Sequence, residues 1–217
     1  MHSSLLKMIN ENGIYEVGFS KVDSPFEGLS NAITIVVPLS NAVVNQIDKA
    51  PTKTYFHHYR TVNAFIDNLL EKIVLHIINL GFDAAAVPAS QSVTGFEGVF
   101  SHKEAAVRAG LGYIGKSCLF ISDKFGPRVR LGTVFTDMPL PVRECAVESK
   151  CGECNLCVKA CPAFAISGRE YKVGMKREDF FDARACSEYM KKQFQDIGRG
   201  AVCGICMKHC PKGLTRR

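Results

Sequence analysis

The sequence predicts an α+β protein in which a mixed α/β body, residues 1–145, precedes a small cysteine-rich module, residues 146–217. Three observations predict this division. Of the 217 residues 47% are hydrophobic, which is enough to form a buried core. Helix-like and strand-like patterns alternate along the chain before residue 140. Eight of the ten cysteines fall within residues 151–217.

The body begins with one helix and two strands. Residues 4–12 have a helical pattern, and Gly13 is a natural stop for this helix. Residues 15–22 and 32–39 have the composition of β-strands. The second of these segments is a nearly continuous apolar run, which is typical of a strand in the middle of a sheet. We therefore expect residues 32–39 to lie inside the sheet.

The longest predicted helix covers residues 58–80. Its apolar residues recur at three- and four-residue spacing and define one buried face. Gly81 follows as a C-terminal stop. The remaining predicted elements of the body are a strand at 83–87, a loop at 92–98, a helix from a Ser101–Glu104 capping box to Ala109, and two strands at 117–121 and 129–135 joined by a turn at 123–127. The character of the chain changes after Pro139-Leu140-Pro141, which places the boundary between residues 140 and 150.

The cysteines point to metal or redox chemistry. The N-terminus lacks the pattern of an export signal, and no stretch is long and apolar enough to span a membrane. We therefore expect a cytoplasmic protein without a membrane partner. In that compartment clustered cysteines bind metals or take part in redox reactions more often than they form disulfides.

Two groups of four cysteines are predicted to hold two [4Fe-4S] clusters. The run Cys151-x2-Cys154-x2-Cys157-x3-Cys161-Pro162 has the spacing of bacterial ferredoxins, in which the fourth cysteine binds the other cluster. A second, partial run is supplied by residues 186–211. By this crossed rule the first cluster takes Cys151, Cys154, Cys157 and Cys210, and the second takes Cys161, Cys186, Cys203 and Cys206. The C-terminal module is therefore predicted to be ferredoxin-like.

Two structural zinc sites are the alternative, because zinc also uses short C-x2-C steps. A run of three cysteines that ends in Cys-Pro favours the iron–sulfur interpretation. The formal net charge is 27 − 21 = +6. Because each oxidised cluster carries a charge of about −2, two clusters offset most of it, and binding of nucleic acid through charge alone is not expected. Cys118 and Cys145 are left as spare thiols.

The glycine-rich segment at residues 110–117 matches two nucleotide motifs, G-x-G-x-x-G and G-x-x-x-x-G-K-S. Both motifs need a strand before the loop and a helix after it, whereas here a helix precedes and a β-like run follows. Nucleotide binding is therefore disfavoured. A purely structural turn and a loop that approaches another planar cofactor both remain open.

Together these motifs resemble the epoxyqueuosine reductase family, which is related to the corrinoid-containing reductive dehalogenases. The resemblance rests on residues 109–116, on Leu131-Gly132-Thr133, on the segment 137–141 and on the cysteine ladder. It implies a base-off cobalamin held between the body and the ferredoxin-like module, with FMN as the alternative cofactor. The residues that it assigns to the cofactor are Gly110, Gly112, Tyr113, Gly115, Lys116, Ser117 and Arg128.

The sequence departs from this family at two places. Where the family has an acidic proton donor in a Val-Asp-Ser setting, this chain has Val87-Pro88-Ala89-Ser90, and the nearest carboxylate on that connection is Glu97. Glu97 is therefore the predicted catalytic residue. The family's tRNA-modifying members continue into a helical-repeat module, whereas this sequence ends at Arg217, so we expect a short form for which tRNA is the lesser alternative substrate.

The leading functional hypothesis is an iron–sulfur oxidoreductase that reduces a small-molecule substrate through a bound corrinoid. It would receive electrons from a ferredoxin or a flavodoxin. The second hypothesis is an electron carrier without substrate chemistry of its own. A two-cluster module needs only about 60 residues, so a pure carrier does not account for the body. A cluster-containing ATPase is disfavoured by the helix–loop–strand order.

Overall fold

The computed structural model describes residues 2–14, 16–91, 94–142 and 147–213. Sequence predictions for Cys145, for Tyr15 and for the start of the loop at residue 92 lie outside these ranges. The helices are α1 (His2–Glu11), α2 (Asn41–Val44), α3 (Lys53–Asn79), α4 (His102–Arg108), α5 (Leu156–Ala160), α6 (Ala183–Gln193) and α7 (Ile205–Lys208). The strands are β1 (Val17–Lys21), β2 (Asn31–Pro38), β3 (Ala84–Val87), β4 (Gly112–Ile114), β5 (Phe120–Ser122) and β6 (Val129–Thr136).

The α+β fold class is confirmed, and the chain forms two compact units that each draw on several segments. The first unit contains Met1–Val37, Val62–Gly112 and Arg130–Val147, and the second contains Pro38–Thr61, Tyr113–Val129 and Glu148–Arg217. The cysteine-rich unit thus includes two segments from the part of the sequence assigned to the body. The domain boundary after residue 145 stays a prediction.

A four-stranded sheet in the order β1-β2-β6-β3 is the centre of the first unit. Strand β1 runs antiparallel to β2, with Phe19 opposite Ile33, and β3 runs antiparallel to β6, with Ala85 opposite Phe135. Strand β2 has a neighbour on each side, which confirms its predicted internal position. Six consecutive residues of β2 are buried, as its continuous apolar run requires.

Helices α1 and α3 supply much of the apolar core of this unit. Leu5 and Ile9 of α1 and the buried face of α3 belong to one cluster with side chains of β2 and β6. The α3 residues in the cluster are Ile66, Leu69, Leu70, Ile73, Val74 and Ile77. The predicted stops are confirmed, because Gly13 and Gly81 both have positive φ, at 83° and 88°. The observed α3 begins five residues earlier than predicted, at Lys53.

The side chain of His102, at the start of α4, is held by polar contacts within the first unit. His102 Nε2 lies 2.9 Å from the carbonyl oxygen of Pro88, and Nδ1 lies 2.9 Å from Thr133 Oγ1. Nε2 also lies 3.1 Å from the side-chain amide nitrogen of Gln91. Burial lowers the pKa of His102 from 6.5 to about 4. The imidazole is therefore neutral at physiological pH.

The segment around the glycines differs from the prediction in two respects. Helix α4 is present, but the side chain of Ser101 makes no capping hydrogen bond, so the predicted capping box does not form. Strand β5 pairs with β4, a strand that the sequence analysis did not predict, whereas β6 belongs to the larger sheet. The expected pairing of residues 117–121 with 129–135 is therefore wrong. The turn between them is present, because Ser122 and Gly126 exchange backbone hydrogen bonds.

The cysteine-rich segment of the second unit is built from short helices and turns. Helix α5 has five residues, α6 has eleven and α7 has four. Asp182 begins α6 as its N-cap, since its side chain accepts a hydrogen bond from the backbone NH of Ala185 at 2.9 Å. Across the described residues no helix is both long and apolar enough to cross a membrane.

Candidate iron–sulfur centre

The four cysteines predicted to hold the first cluster come together in the second unit. Cys151 and Cys154 lie in the loop before α5, Cys157 lies on α5, and Cys210 follows α7. The pKa of the Cys210 thiol rises to about 11, first because of burial and then because the thiols of Cys151, Cys157 and Cys154 are close. Cys210 is thus a neighbour of the three-cysteine run, although it lies 53 residues after Cys157 in the sequence.

The second predicted group of cysteines also assembles. The pKa of Cys186 is raised to about 11, first by burial and then by the neighbouring thiols of Cys203 and Cys161. The pKa of Cys206 is raised by burial and then by the thiols of Cys203, Cys186 and Cys161. These neighbours follow the crossed scheme, in which Cys161 leaves its own run to join the later cysteines. The assignment of each ligand to a cluster stays a prediction.

The raised pKa values describe thiols that hold their protons while no metal is bound. Metal binding requires thiolates, so binding iron at these cysteines releases protons. The described side chains contain no group of three or more His, Cys, Asp or Glu residues arranged to hold a single metal ion. The described cysteines are all free of disulfide bonds.

Lys116 is buried against the loop that carries the first three cysteines. Its exposed fraction is 5%, and its ammonium donates to the carbonyl oxygen of Gly152 at 2.6 Å and to Asn155 Oδ1 at 3.0 Å. Both acceptors lie between cysteines of the run. The ammonium therefore ties the β4–β5 segment to the predicted ligand loop.

Arg128 approaches the last cysteine from another direction. Its Nη1 donates to Asn41 Oδ1 at 2.8 Å and to Asn45 Oδ1 at 2.9 Å, and its exposed fraction is 2%. Burial lowers the pKa of the guanidinium, while the nearby Cys210 raises it. The two asparagines are four residues apart at helix α2, so one helix face presents both amide oxygens to the arginine. These two asparagines were not predicted to be functional, although two Asn at i,i+4 is a usable signal.

Two buried donors near the first group of cysteines have no hydrogen-bond partner among the described residues. They are Tyr113 Oη and Arg128 Nε. The pKa of Tyr113 is raised, mostly by burial and then by the thiols of Cys151 and Cys210. Because cluster and thiolate sulfurs accept hydrogen bonds, these two orphaned groups fit a [4Fe-4S] cluster at this position.

The glycines of the 110–117 segment have structural roles within the chain. Gly110 has φ 72° and ends α4 in a Schellman motif, with its NH bonded to Val107 O and the Leu111 NH bonded to Ala106 O. A Cβ at Gly115 would lie 2.5 Å from Ile121 Cδ1 and 3.3 Å from Cys151 Sγ. Gly112 belongs to β4, and Ser117 is 7% exposed. Their predicted contacts with a corrin stay a prediction.

The other predicted residues lie as follows. Glu97 is exposed on the short segment after β3, and its assignment as a proton donor stays a prediction. Cys118 is buried, has a positive φ of 60°, and is among the groups that raise the pKa of Cys186. It is therefore a ninth thiol close to the second group, a placement that its position in the sequence did not indicate.

Comparison with known proteins identifies the cysteine-rich segment. The 4Fe-4S double cluster binding domain matches residues 150–213. The epoxyqueuosine reductase of Pseudomonas aeruginosa is 30% identical over 157 residues, which are 69% of this chain and 38% of that protein. The chain is therefore similar to the epoxyqueuosine reductases. Two binding sites for [4Fe-4S] clusters follow from the matched domain and its eight cysteines.

This epoxyqueuosine reductase-like chain is also similar to reductive dehalogenases. The tetrachloroethene reductive dehalogenase of Dehalobacter restrictus is 30% identical over 223 residues, which are 95% of this chain and 38% of that protein. A structure described as suggesting a mechanism for B12-dependent dehalogenation aligns with a TM-score of 0.76 at 19% identity, covering 99% of this chain and 32% of that one. The fold is therefore shared. The chain spans well under half the length of these curated relatives.

Proposed function

We propose that this chain is an iron–sulfur reductase that passes electrons through two [4Fe-4S] clusters to a bound corrinoid and so reduces a small-molecule substrate. The assembly of two groups of four thiols in one unit carries the proposal. The groups are adjacent, because the thiols acting on Cys206 include Cys157 of the first group as well as Cys161 of the second. Adjacent clusters suit stepwise electron transfer.

The chain's own residues perform three tasks in this proposal. The eight thiols give up their protons to bind iron. Lys116 holds the first ligand loop through Gly152 and Asn155. Arg128 is held by two asparagines near Cys210. An external one-electron carrier, such as a ferredoxin or a flavodoxin, is the proposed electron donor.

The corrinoid is proposed from the similarity to reductive dehalogenases over 95% of this chain. When bound, a corrinoid supplies a redox-active cobalt. The glycine segment is the proposed binding element, with Glu97 as proton donor. Lys116 and Arg128 bind protein atoms and are almost fully buried. FMN is the alternative cofactor.

Metal analysis tests the cluster half of the proposal. Protein reconstituted under anaerobic conditions should contain about eight irons and eight sulfides per chain. Cys186→Ala should lose one cluster and keep most of the other, because Cys186 is predicted to ligate the second cluster alone. About four irons in the wild type, or stoichiometric zinc, would contradict the two-cluster assignment.

Absorption spectroscopy tests the corrinoid half. Added cobalamin should change from its base-on to its base-off spectrum with the wild type. Gly112→Val should abolish this change while the cluster absorbance stays intact. Gly13→Ala is a control for a glycine substitution elsewhere in the chain, because a Cβ at Gly13, at the end of α1, would meet open space. If the wild type leaves the cobalamin spectrum unchanged under reducing conditions, no corrinoid binds, and FMN is tested next.

Epoxyqueuosine reduction in tRNA is the second candidate function. The observation that favours it is the 30% identity to the Pseudomonas aeruginosa enzyme over 157 residues. Incubation of the loaded protein and a reductant with tRNA that carries epoxyqueuosine should then yield queuosine. Unchanged nucleoside after complete reduction of the clusters would exclude this substrate.

A further inference from the structure

The two predicted clusters differ in the buried charges beside them. Lys116, Arg128 and Tyr113 surround the group formed by Cys151, Cys154, Cys157 and Cys210. The charged neighbours acting on Cys186 are instead other thiols and the carboxylate of Asp182. The first ligand loop also has an anion, because the NH of Gly152 donates to the carboxylate of partly exposed Glu170 at 2.7 Å. What distinguishes the first group is therefore the two buried cations beside it.

The cations of the first group are fixed in place. The ammonium of Lys116 is bonded to two acceptors inside the ligand loop, at 2.6 and 3.0 Å. The guanidinium of Arg128 is bonded to Asn41 and Asn45, at 2.8 and 2.9 Å. Both side chains are at least 95% buried. A buried charge is weakly screened by solvent, so it acts on a nearby cluster more strongly than a surface lysine does.

Two buried donors add to this effect. Tyr113 Oη and Arg128 Nε have no partner among the described residues, and both lie near the first group of thiols. Hydrogen bonds to the sulfurs of an iron–sulfur cluster raise its reduction potential, as does nearby positive charge. A [4Fe-4S] cluster with four thiolates changes from a charge of about −2 to about −3 when it accepts one electron. Positive neighbours therefore favour the reduced state.

We infer that Lys116 and Arg128 raise the reduction potential of the cluster at Cys151, Cys154, Cys157 and Cys210 above that of the cluster at Cys161, Cys186, Cys203 and Cys206. The first electron supplied by an external carrier then rests on the former cluster. Lys116 and Arg128 thus determine which cluster is reduced first. Asn41 and Asn45 contribute indirectly, because they hold the guanidinium of Arg128 in place. The inference rests on the proposed two-cluster function.

A redox titration followed by electron paramagnetic resonance, with dithionite and mediators, tests the inference. Lys116→Gln and Arg128→Gln should each lower the potential of one cluster and leave the other in place. We expect at least a tenfold loss in the equilibrium constant for reduction, which is about 59 mV for a one-electron couple. Arg128→Lys keeps the charge and should retain most of the potential. Lys159→Gln is the matched control, because Lys159 lies on α5 between two ligands but is exposed to solvent.

The titration also identifies the cluster concerned. Cys186→Ala should leave only the first cluster, and its potential should match the higher of the two wild-type values. If the potential of the remaining cluster matches the lower wild-type value, the inference is overturned, whatever the Lys116 and Arg128 variants show. Equal shifts of both clusters, or an equal shift in Lys159→Gln, also overturn it. Iron content below about eight in the wild type is a different result and contradicts the two-cluster function itself.

Discussion

The partly buried imidazole of His102 makes the stability of the first unit depend on pH. In the folded protein its pKa is lowered to about 4 by burial, and the ordinary value is 6.5. Below pH 6.5 the unfolded chain therefore takes up a proton that the folded chain excludes. The folded state loses stability as the pH falls from 6.5 towards 4, and the loss ends once both states are protonated. Over the whole interval the loss is about 3 kcal/mol.

The test compares the wild type with His102→Gln, which cannot titrate. Between pH 7.5 and pH 5.5 the wild type should lose about 1 kcal/mol more stability than the variant, or about 2–4 °C in the unfolding midpoint. Comparing the two proteins cancels the pH dependence of the carboxylates and of the clusters. His76→Gln, on helix α3, controls for the removal of a histidine.

A direct titration checks the cause. The ring protons of His102, followed by NMR in the loaded and oxidised protein, should not shift between pH 8 and pH 5.5. If the resonance titrates near 6.5, or if the wild type and His102→Gln have the same pH dependence, then the enclosure by Pro88 and Thr133 does not desolvate the ring, and the reasoning is refuted.

Three further predictions concern single residues. Cys118→Ser should leave the iron content unchanged, because eight other cysteines complete both sites; loss of a cluster would show that this thiol, which acts on Cys186, is a ligand. Calorimetry should detect no ATP binding to the wild type or to Lys116→Ala. If the wild type binds ATP and Lys116→Ala does not, the phosphate-loop interpretation is restored. Gly132→Ala should lower stability by about 1–3 kcal/mol, since the new Cβ would lie 2.5 Å from Ile66 Cγ2. If Gly132→Ala has the same urea midpoint as the wild type, then α3 moves away from the new Cβ without loss of unfolding free energy.

Much of the fold could be predicted where a pattern repeats over many residues. Helix α3 shows its buried face several times, so its existence and its end at Gly81 were clear. Its start at Lys53 was not, because residues 53–57 bury only Tyr55 and carry no periodic signal. Strand β4 has three residues, one of them glycine, and is too short to show alternation.

The cysteine groups could be predicted because spacing alone defines a ligand loop. The surroundings of those groups could not. Arg128 meets Asn41 and Asn45 at sequence separations of 87 and 83 residues. Such contacts depend on tertiary folding and leave no local pattern. The sequence did single out Lys116 and Arg128 as functional, but their partners in the structure are Gly152, Asn155 and the two asparagines.

The helices beside the cysteines have a consequence for biosynthesis. Helices α5 and α7, with five and four residues, are too short to persist in isolation, yet they pack against each other. The thiol that completes the first group, Cys210, is made 53 residues after Cys157. We expect that this region leaves the ribosome unstructured and orders only when iron and sulfide close the loop between the two cysteines, so that the free energy of cluster insertion is spent on folding. Iron starvation should therefore expose this region to proteolysis while the sheet of the first unit persists.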